Sequence, residues 1–210
     1  LHLLFFFLMI RRPPRSTLFP YTVLLIVNIF ERCLALVMLI ILSPVLLLIA
    51  IIVRLDSKGE ILFKQKRVGK NSKIFYIYKF RTMSDNAQRS IPSNELMSKH
   101  VTKMGKYLRK SSLDELPQLI NIIKGEMSFI GYRPVIPEET DLILLRKKYK
   151  IDEHLPGLTG WAQINGRDSI DTYEKIELEK YYYQNKNILF NIKITLMTIY
   201  KVITRECVYY

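Results

Sequence analysis

CLALVMLIILSPVLLLIAIIV, residues 33–53, carries no charged side chain over 21 positions. As a straight helix it spans about 31 Å, the thickness of a bilayer's hydrocarbon core. Its reading decides the fold, because it separates a chain with a membrane element from an ordinary soluble domain. Ser43-Pro44 stands at its middle. Proline lacks the N–H that bonds four residues back and crowds the preceding turn, so a kink or break is expected there. Cations flank both ends, Arg32 before the run and Arg54, Lys58, Lys64, Lys66 and Arg67 after it. Both flanks suit the cytoplasmic side of a membrane. From these residues alone a kinked spanning helix and a segment that turns back within one leaflet both remain open.

Upstream, residues 1–22 form an apolar stub, a basic proline turn and an aromatic tail, with no small-residue cleavage site and no initiating Met. They read badly as a signal peptide and resemble translated adapter sequence, so 1–22 is expected to be a non-native leader. The whole chain of 210 residues carries 32 basic and 19 acidic side chains, a net +13, and dropping the leader's three arginines leaves +10. That excess favours a polyanionic partner: phosphorylated ligands, anionic lipid or nucleic acid. Two cysteines, Cys33 and Cys207, make no disulfide framework and no Cys-x-x-Cys metal spacing.

Downstream, ILFKQKRVG (61–69) and KIFYIYKFRTM (73–83) flank Gly69-Lys70-Asn71-Ser72 and predict a β-hairpin. A period of two puts Lys79 and Arg81 on one strand face, a pairing that suits a phosphate, though a solvated basic edge gives the same pattern. Residues 84–100 read as a polar loop or short helix. The basic stretch TKMGKYLRK (102–110) then leads into SSLDELPQLINIIKGEMSFIGYRP (111–134). With Asp114 as N-cap, Pro117 falls in the first turn, Leu116, Leu119, Ile120 and Ile123 line one face, and Gly125 ends the helix. A cap at Ser112 is the alternative. Residues 139–150 predict a further helix, and LPGLTGWAQINGRDS (155–169) reads as an ordered loop. DTYEKIELEKYYYQN (171–185) and NILFNIKITLMTIYKVI (187–203) are amphipathic helices suited to a core or a membrane interface.

Asp114 and Glu115 are the candidates for chemistry. An acid at a helix start is most often a cap. Two together, with Arg109 and Arg133 bracketing them, also suit phosphoryl transfer. Glu115 is then a Mg²⁺ ligand, Asp114 a nucleophile, and the arginines clamp phosphate oxygens. No G-x-S-x-G elbow or Walker loop occurs, and His2, His100 and His154 have no partners at metal spacing.

Together the broken apolar run, QKRVGKNSKIFYIYKFRTM (65–83), SLDELPQLINIIKGEMSFIG (112–131), Arg133-Pro134 and LPGLTGWAQINGR (155–167) resemble the bacterial sugar transferase family of monotopic phosphoglycosyl transferases. The likeness runs from about Asn28 to about Thr204. It implies transfer of a phospho-sugar from a UDP-sugar to polyprenol (undecaprenyl) phosphate, releasing UMP, through a covalent aspartyl intermediate. It further implies catalysis by Asp114 and Glu115, Mg²⁺ on Glu115, and phosphate handling by Arg67, Lys79, Arg81, Arg109 and Arg133. A membrane helix broken at Ser43 and Pro44 is implied to be re-entrant, which places the chain on the cytoplasmic face of a bacterial inner membrane. Tyr132 stands where the family's motif has proline, and Glu179 where aspartate is common.

The expected fold is therefore mainly α with a small β-hairpin (α+β). A re-entrant helix over 23–55 precedes a cytosolic catalytic domain over 56–210 with amphipathic interfacial helices. Expected partners are a UDP-sugar, polyprenol phosphate and the lipid bilayer, with no nucleic acid, and a homo-oligomer is allowed. The competing reading is a non-enzymatic, membrane-anchored basic module that binds anionic lipid or nucleic acid. A hydrolase that sends the same intermediate to water is the third.

Overall fold

The structure, a computed structural model, describes residues 15–84, 100–166 and 170–204, with side chains from residue 26 onward. The expectations for residues 1–14, for the polar stretch 85–99 and for Cys207 lie outside the described residues. The described chain is mainly helical with a small hairpin, as the sequence predicts. A 42-residue helix, α1 (Arg15–Asp56), comes first and starts inside the stretch read as a leader. The antiparallel hairpin follows, β1 (Leu62–Val68) and β2 (Ile74–Phe80), joined through a 3₁₀ turn at Lys70–Ser72. Next come α2 (Lys103–Lys110), a 3₁₀ turn at Leu113–Gln118, and α3 (Leu119–Lys124). The last part comprises β3 (Ser128–Ile130), α4 (Thr140–Lys148), a 3₁₀ turn at Ile151–Glu153 and β4 (Gly157–Thr159). It ends with α5 (Trp161–Asn165), α6 (Thr172–Asn185) and α7 (Ile188–Thr204).

α1 runs as one helix through Ser43 and Pro44, so the expected break is absent from the helical pattern. Pro44 has no N–H to give the Ile40 carbonyl, and Ser43 Oγ donates to that oxygen at 2.7 Å instead. A hydroxyl one position before the proline thus satisfies the orphaned acceptor, which apolar surroundings otherwise make costly. Both halves of α1 lie against the same body. Before Pro44, Ala35 is buried with Phe75, Ile77, Leu119 and Ile122. After it, Ile49 and Val53 are buried with Phe80 and Leu108. The outward residues, among them Ile40, Ile41, Leu47 and Leu48, are exposed and apolar. α7 repeats the pattern: Ile194 is fully buried, while Leu189, Ile192, Leu196, Ile199 and Ile203 face outward. Two exposed apolar faces of this extent mark a lipid-contacting surface.

Residues 155–166 differ from the expected loop, whose last three residues, 167–169, lie outside the described ones. Gly157–Thr159 pairs in parallel with Ser128–Ile130, and Trp161–Asn165 is a short helix. Such a strand needs its neighbour's backbone very close: a Cβ on Gly157 would stand 2.0 Å from the Gly131 nitrogen. A three-residue strand with glycine at its start has no periodicity to read, so the turn-rich composition misleads.

α3 attaches to the hairpin through Asn121, which is fully buried. Its amide donates to the Tyr76 carbonyl and to Glu126 Oε2, both at 2.7 Å, and its Oδ1 accepts from the Tyr78 N–H at 3.2 Å. One side chain thereby completes the outer edge of β2 as a further strand would. Asn121→Leu leaves those backbone groups buried and unpaired, at a cost of about 3 kcal/mol. A thermal melt in detergent is expected to show a large drop in midpoint.

Candidate active site

The hairpin's alternation sets the cationic side of the site. In β2, Phe75 and Ile77 are buried, and Lys79 continues the same face. Cross-strand pairing puts Phe63 opposite Lys79, Gln65 opposite Ile77 and Arg67 opposite Phe75, so Arg67 and Lys79 share one face of the sheet. Gln65 Oε1 accepts from Arg67 Nη2 at 2.7 Å, and Arg67 Nη1 donates to the Pro134 carbonyl at 3.3 Å. The strand ends at Phe80, and Arg81 follows with its N–H donated to the Ile61 carbonyl at 2.9 Å. It is 2 % exposed and donates through Nη2 to the Ser57 carbonyl at 2.6 Å, just past the end of α1. Its Nε and Nη1 are buried as well and have no hydrogen-bond partner among the described residues.

The acidic side is set by a sharp reversal after α2. Ser112 adopts a left-handed conformation (φ 55°, ψ 16°) and caps the Leu113–Gln118 turn without a side-chain bond, while the Glu115 N–H donates to the Ser112 carbonyl at 3.2 Å. Asp114 is therefore not the cap. It is the second residue of the turn and is buried, 8 % exposed. Leu113 and Leu116 pack toward Phe80 and Leu108, and Leu119 and Ile122 toward Phe75 and Ile77. Anchored on two apolar clusters, the turn holds its two acids in place between them. Ile120 is not in the core, and Asn121 takes the inward position that the apolar pattern gave to its neighbours. Gly125 closes α3 in a left-handed conformation, as the sequence predicts.

The two sides meet at Glu115. Its Oε1 lies 2.7 Å from Lys79 Nζ and 3.8 Å from Arg133 Nη1, with all three side chains largely buried. Arg67, Lys79 and Arg133 line one cleft together with Gln118, Gly157 and Leu158. Arg109 serves the other acid. Its Nε donates to Thr82 Oγ1 at 2.9 Å, and burial lowers the guanidinium's proton affinity while attraction to Asp114 works against that shift. Of the expected site residues, Arg67, Lys79 and Arg133 meet at the cleft with Glu115 against two of them, while Asp114, next to Glu115 in the turn, has Arg109 near it. Gln118, 3 % exposed, is a lining residue that sequence reasoning missed, since a glutamine beside a proline carries no signal.

Among the described residues, no cluster of three or more His, Cys, Asp or Glu could hold a metal by protein ligands alone. Glu115 Oε1 faces Lys79 and Arg133, and the carboxylates that could serve a hard cation such as Mg²⁺, which binds through one or two carboxylates plus water and phosphate oxygens, are those of Asp114 and Glu115. Cations lining a cleft beside a buried carboxylate can neutralise a diphosphate and present an oxygen nucleophile to it.

Comparison with known proteins agrees with this chemistry. The family described as bacterial sugar transferase matches residues 23–205. The sugar transferase EpsL of Bacillus subtilis (strain 168) is 39 % identical over 180 residues, covering 85 % of this chain and 88 % of that protein. The UDP-glucose:undecaprenyl-phosphate glucose-1-phosphate transferase of Escherichia coli (strain K12) is 39 % identical over 189 residues, 84 % of this chain and 40 % of that protein. The UDP-N-acetylgalactosamine-undecaprenyl-phosphate N-acetylgalactosaminephosphotransferase of Aeromonas hydrophila is 38 % identical over 168 residues, 77 % of this chain and 40 % of that protein. The chain thus spans about two fifths of the longer relatives and most of the shorter one. With the match running from α1 through α7, and so across the acidic turn and the basic hairpin, the chain belongs to the bacterial sugar transferase family.

Proposed function

We propose that the protein transfers a phospho-sugar from a UDP-sugar to a polyprenol phosphate, undecaprenyl phosphate in bacteria, and releases UMP. This is the first membrane step of surface polysaccharide or glycoconjugate assembly. The observation that carries the reading is the buried Asp114 beside a Glu115 held by two cleft-lining cations. An Asp114 carboxylate oxygen attacks the sugar-proximal phosphorus, the bond from that phosphorus to the bridging oxygen breaks, and UMP leaves with the electron pair. The phospho-sugar is then an acyl phosphate on Asp114. A phosphate oxygen of the polyprenol carrier attacks the same phosphorus, and the Asp114 carboxylate leaves, restored.

Arg67, Lys79 and Arg133 neutralise the diphosphate in the cleft, and Arg109 adds its positive charge beside Asp114. Glu115 would hold Mg²⁺, whose charge would add to that neutralisation. Arg81 gives Nη2 to the Ser57 carbonyl at the end of α1, and its buried Nε and Nη1, without a hydrogen-bond partner among the described residues, are left to serve a substrate phosphate.

The lipid substrate fixes where the site must work. Both halves of α1 pack on the catalytic body, on either side of Pro44, while their outer face is apolar. That arrangement favours insertion into one leaflet over crossing, with both ends of the helix cytoplasmic. Single cysteines at Val27 and Lys58, introduced with Cys33 and Cys207 changed to serine, are expected to react with an impermeant thiol reagent in inside-out vesicles only. Labelling of position 27 from the outside alone would establish a spanning helix.

UMP release tests the reaction. Detergent-solubilised protein, Mg²⁺, undecaprenyl phosphate and a panel of UDP-sugars are expected to give UMP from at least one donor. Release independent of the polyprenol phosphate would point to the hydrolase, and no release from folded protein to the binding module.

A further inference from the structure

Arg133 sits on a segment fixed from several directions, and one of those fixings is chemically unusual. The Tyr132 carbonyl accepts from the Gly157 N–H at 2.8 Å, and the Tyr132 N–H donates to the Tyr183 hydroxyl at 3.2 Å. On the other side, Val68 N–H donates to the Val135 carbonyl at 2.8 Å. Between these, the Tyr132 ring is buried with the Arg146 guanidinium 4.4 Å from its centre. Arg146 extends from α4 and is itself held by Glu179 of α6, Nε to Oε2 at 2.8 Å and Nη2 to Oε1 at 2.5 Å. Both members of this pair are 2 % exposed.

A buried ion pair is a poor way to hold two helices together. Desolvating both charges offsets most of their attraction, and apolar residues of similar volume usually serve as well or better. What apolar residues cannot supply is a cation fixed in place against an aromatic face. Glu179 fixes Arg146 in two-point geometry, Arg146 fixes the plane of the Tyr132 ring, and the next residue along the chain is Arg133.

We infer that the Arg146–Glu179 pair, acting through the Tyr132 ring, sets the aim of Arg133 into the cleft, making all three positioning residues for nucleotide phosphate binding. The inference rests on the reading that Arg133 meets the donor's phosphates. It assigns work to residues on α4 and α6 that line no part of the cleft.

The test separates positioning from stability. Arg146→Met/Glu179→Leu replaces the pair with apolar side chains, so the melting temperature is expected to hold or rise. Binding of UDP, measured calorimetrically in detergent with Mg²⁺, is nevertheless expected to weaken about tenfold, the scale of one charge-assisted phosphate contact. Arg133→Ala should weaken UDP binding similarly, and adding the pair replacement to it should cause no further loss, because both remove the same contact. Tyr132→Leu is the second variant and is expected to behave as the pair replacement does if the latter fails to fold. Wild-type UDP affinity in the folded replacement, or losses that multiply with Arg133→Ala, would overturn the inference. A neutral Arg133→Ala would overturn the phosphate role of Arg133 and the inference with it.

Discussion

Asp114→Asn is expected to abolish transfer, lowering turnover by on the order of 10⁴-fold or more, the scale seen when a nucleophile is removed from a covalent mechanism. Asparagine has the shape of aspartate, so the Leu113–Gln118 turn keeps its packing, and the loss is one of chemistry. Asp114 is buried and Arg109 lies close enough to attract it. Removing the charge leaves Arg109 with Thr82 as its described hydrogen-bond partner, at a cost of about 1 kcal/mol. The melting point should therefore fall slightly while activity disappears. Intact-protein mass spectrometry makes the test specific. Incubated with its UDP-sugar and no polyprenol phosphate, the wild-type chain is expected to gain the mass of one phospho-sugar, and the variant none. An adduct on the variant, or turnover near that of the wild type, would move the nucleophile elsewhere.

Much of the site was legible because its residues carry charge and follow short-range rules. Arg67 and Lys79 fall on one face once the hairpin register is known, and the register follows from the Gly69–Ser72 turn. Asp114 and Glu115 announce themselves as adjacent acids in a basic chain. What the sequence hid mostly concerns groups whose surroundings are distant in the chain, with Ser43 and its partner Ile40 the local exception. Arg81 obeys the strand period, and the Ser57 carbonyl that takes its Nη2 lies beyond the reach of any local rule. Asn121 falls outside the apolar face expected of this helix, and it is the residue that closes the edge of β2. Ser43 reads only as the companion of a helix-breaking proline, and it is the hydroxyl that lets the helix continue. β4 has three residues and gains its identity from the strand beside it. Glu179 stands out in the sequence only as a departure from the family's aspartate, and its partner Arg146 is fixed by the meeting of α4 and α6.

Glu115→Gln is expected to lower turnover about 10²-fold, the scale of losing one preorganised electrostatic contact to the reacting phosphate. The informative part is what happens to nucleotide binding. Glu115 now offsets Lys79 at 2.7 Å and Arg133 at 3.8 Å. A neutral glutamine leaves those cations to the diphosphate, so UDP should bind the variant several-fold tighter than the wild type when EDTA removes divalent ions. With Mg²⁺ the order should reverse. The wild type recovers affinity through the cation that Glu115 holds, and the variant gains little because a neutral amide is a weak ligand for it. If Glu115 served only to brace Lys79 and Arg133, its loss would let both cations wander, and UDP would bind more weakly with or without Mg²⁺. The sign of the affinity change in EDTA therefore separates a metal-holding carboxylate from a structural one, and a Mg²⁺ titration of both proteins reads it directly.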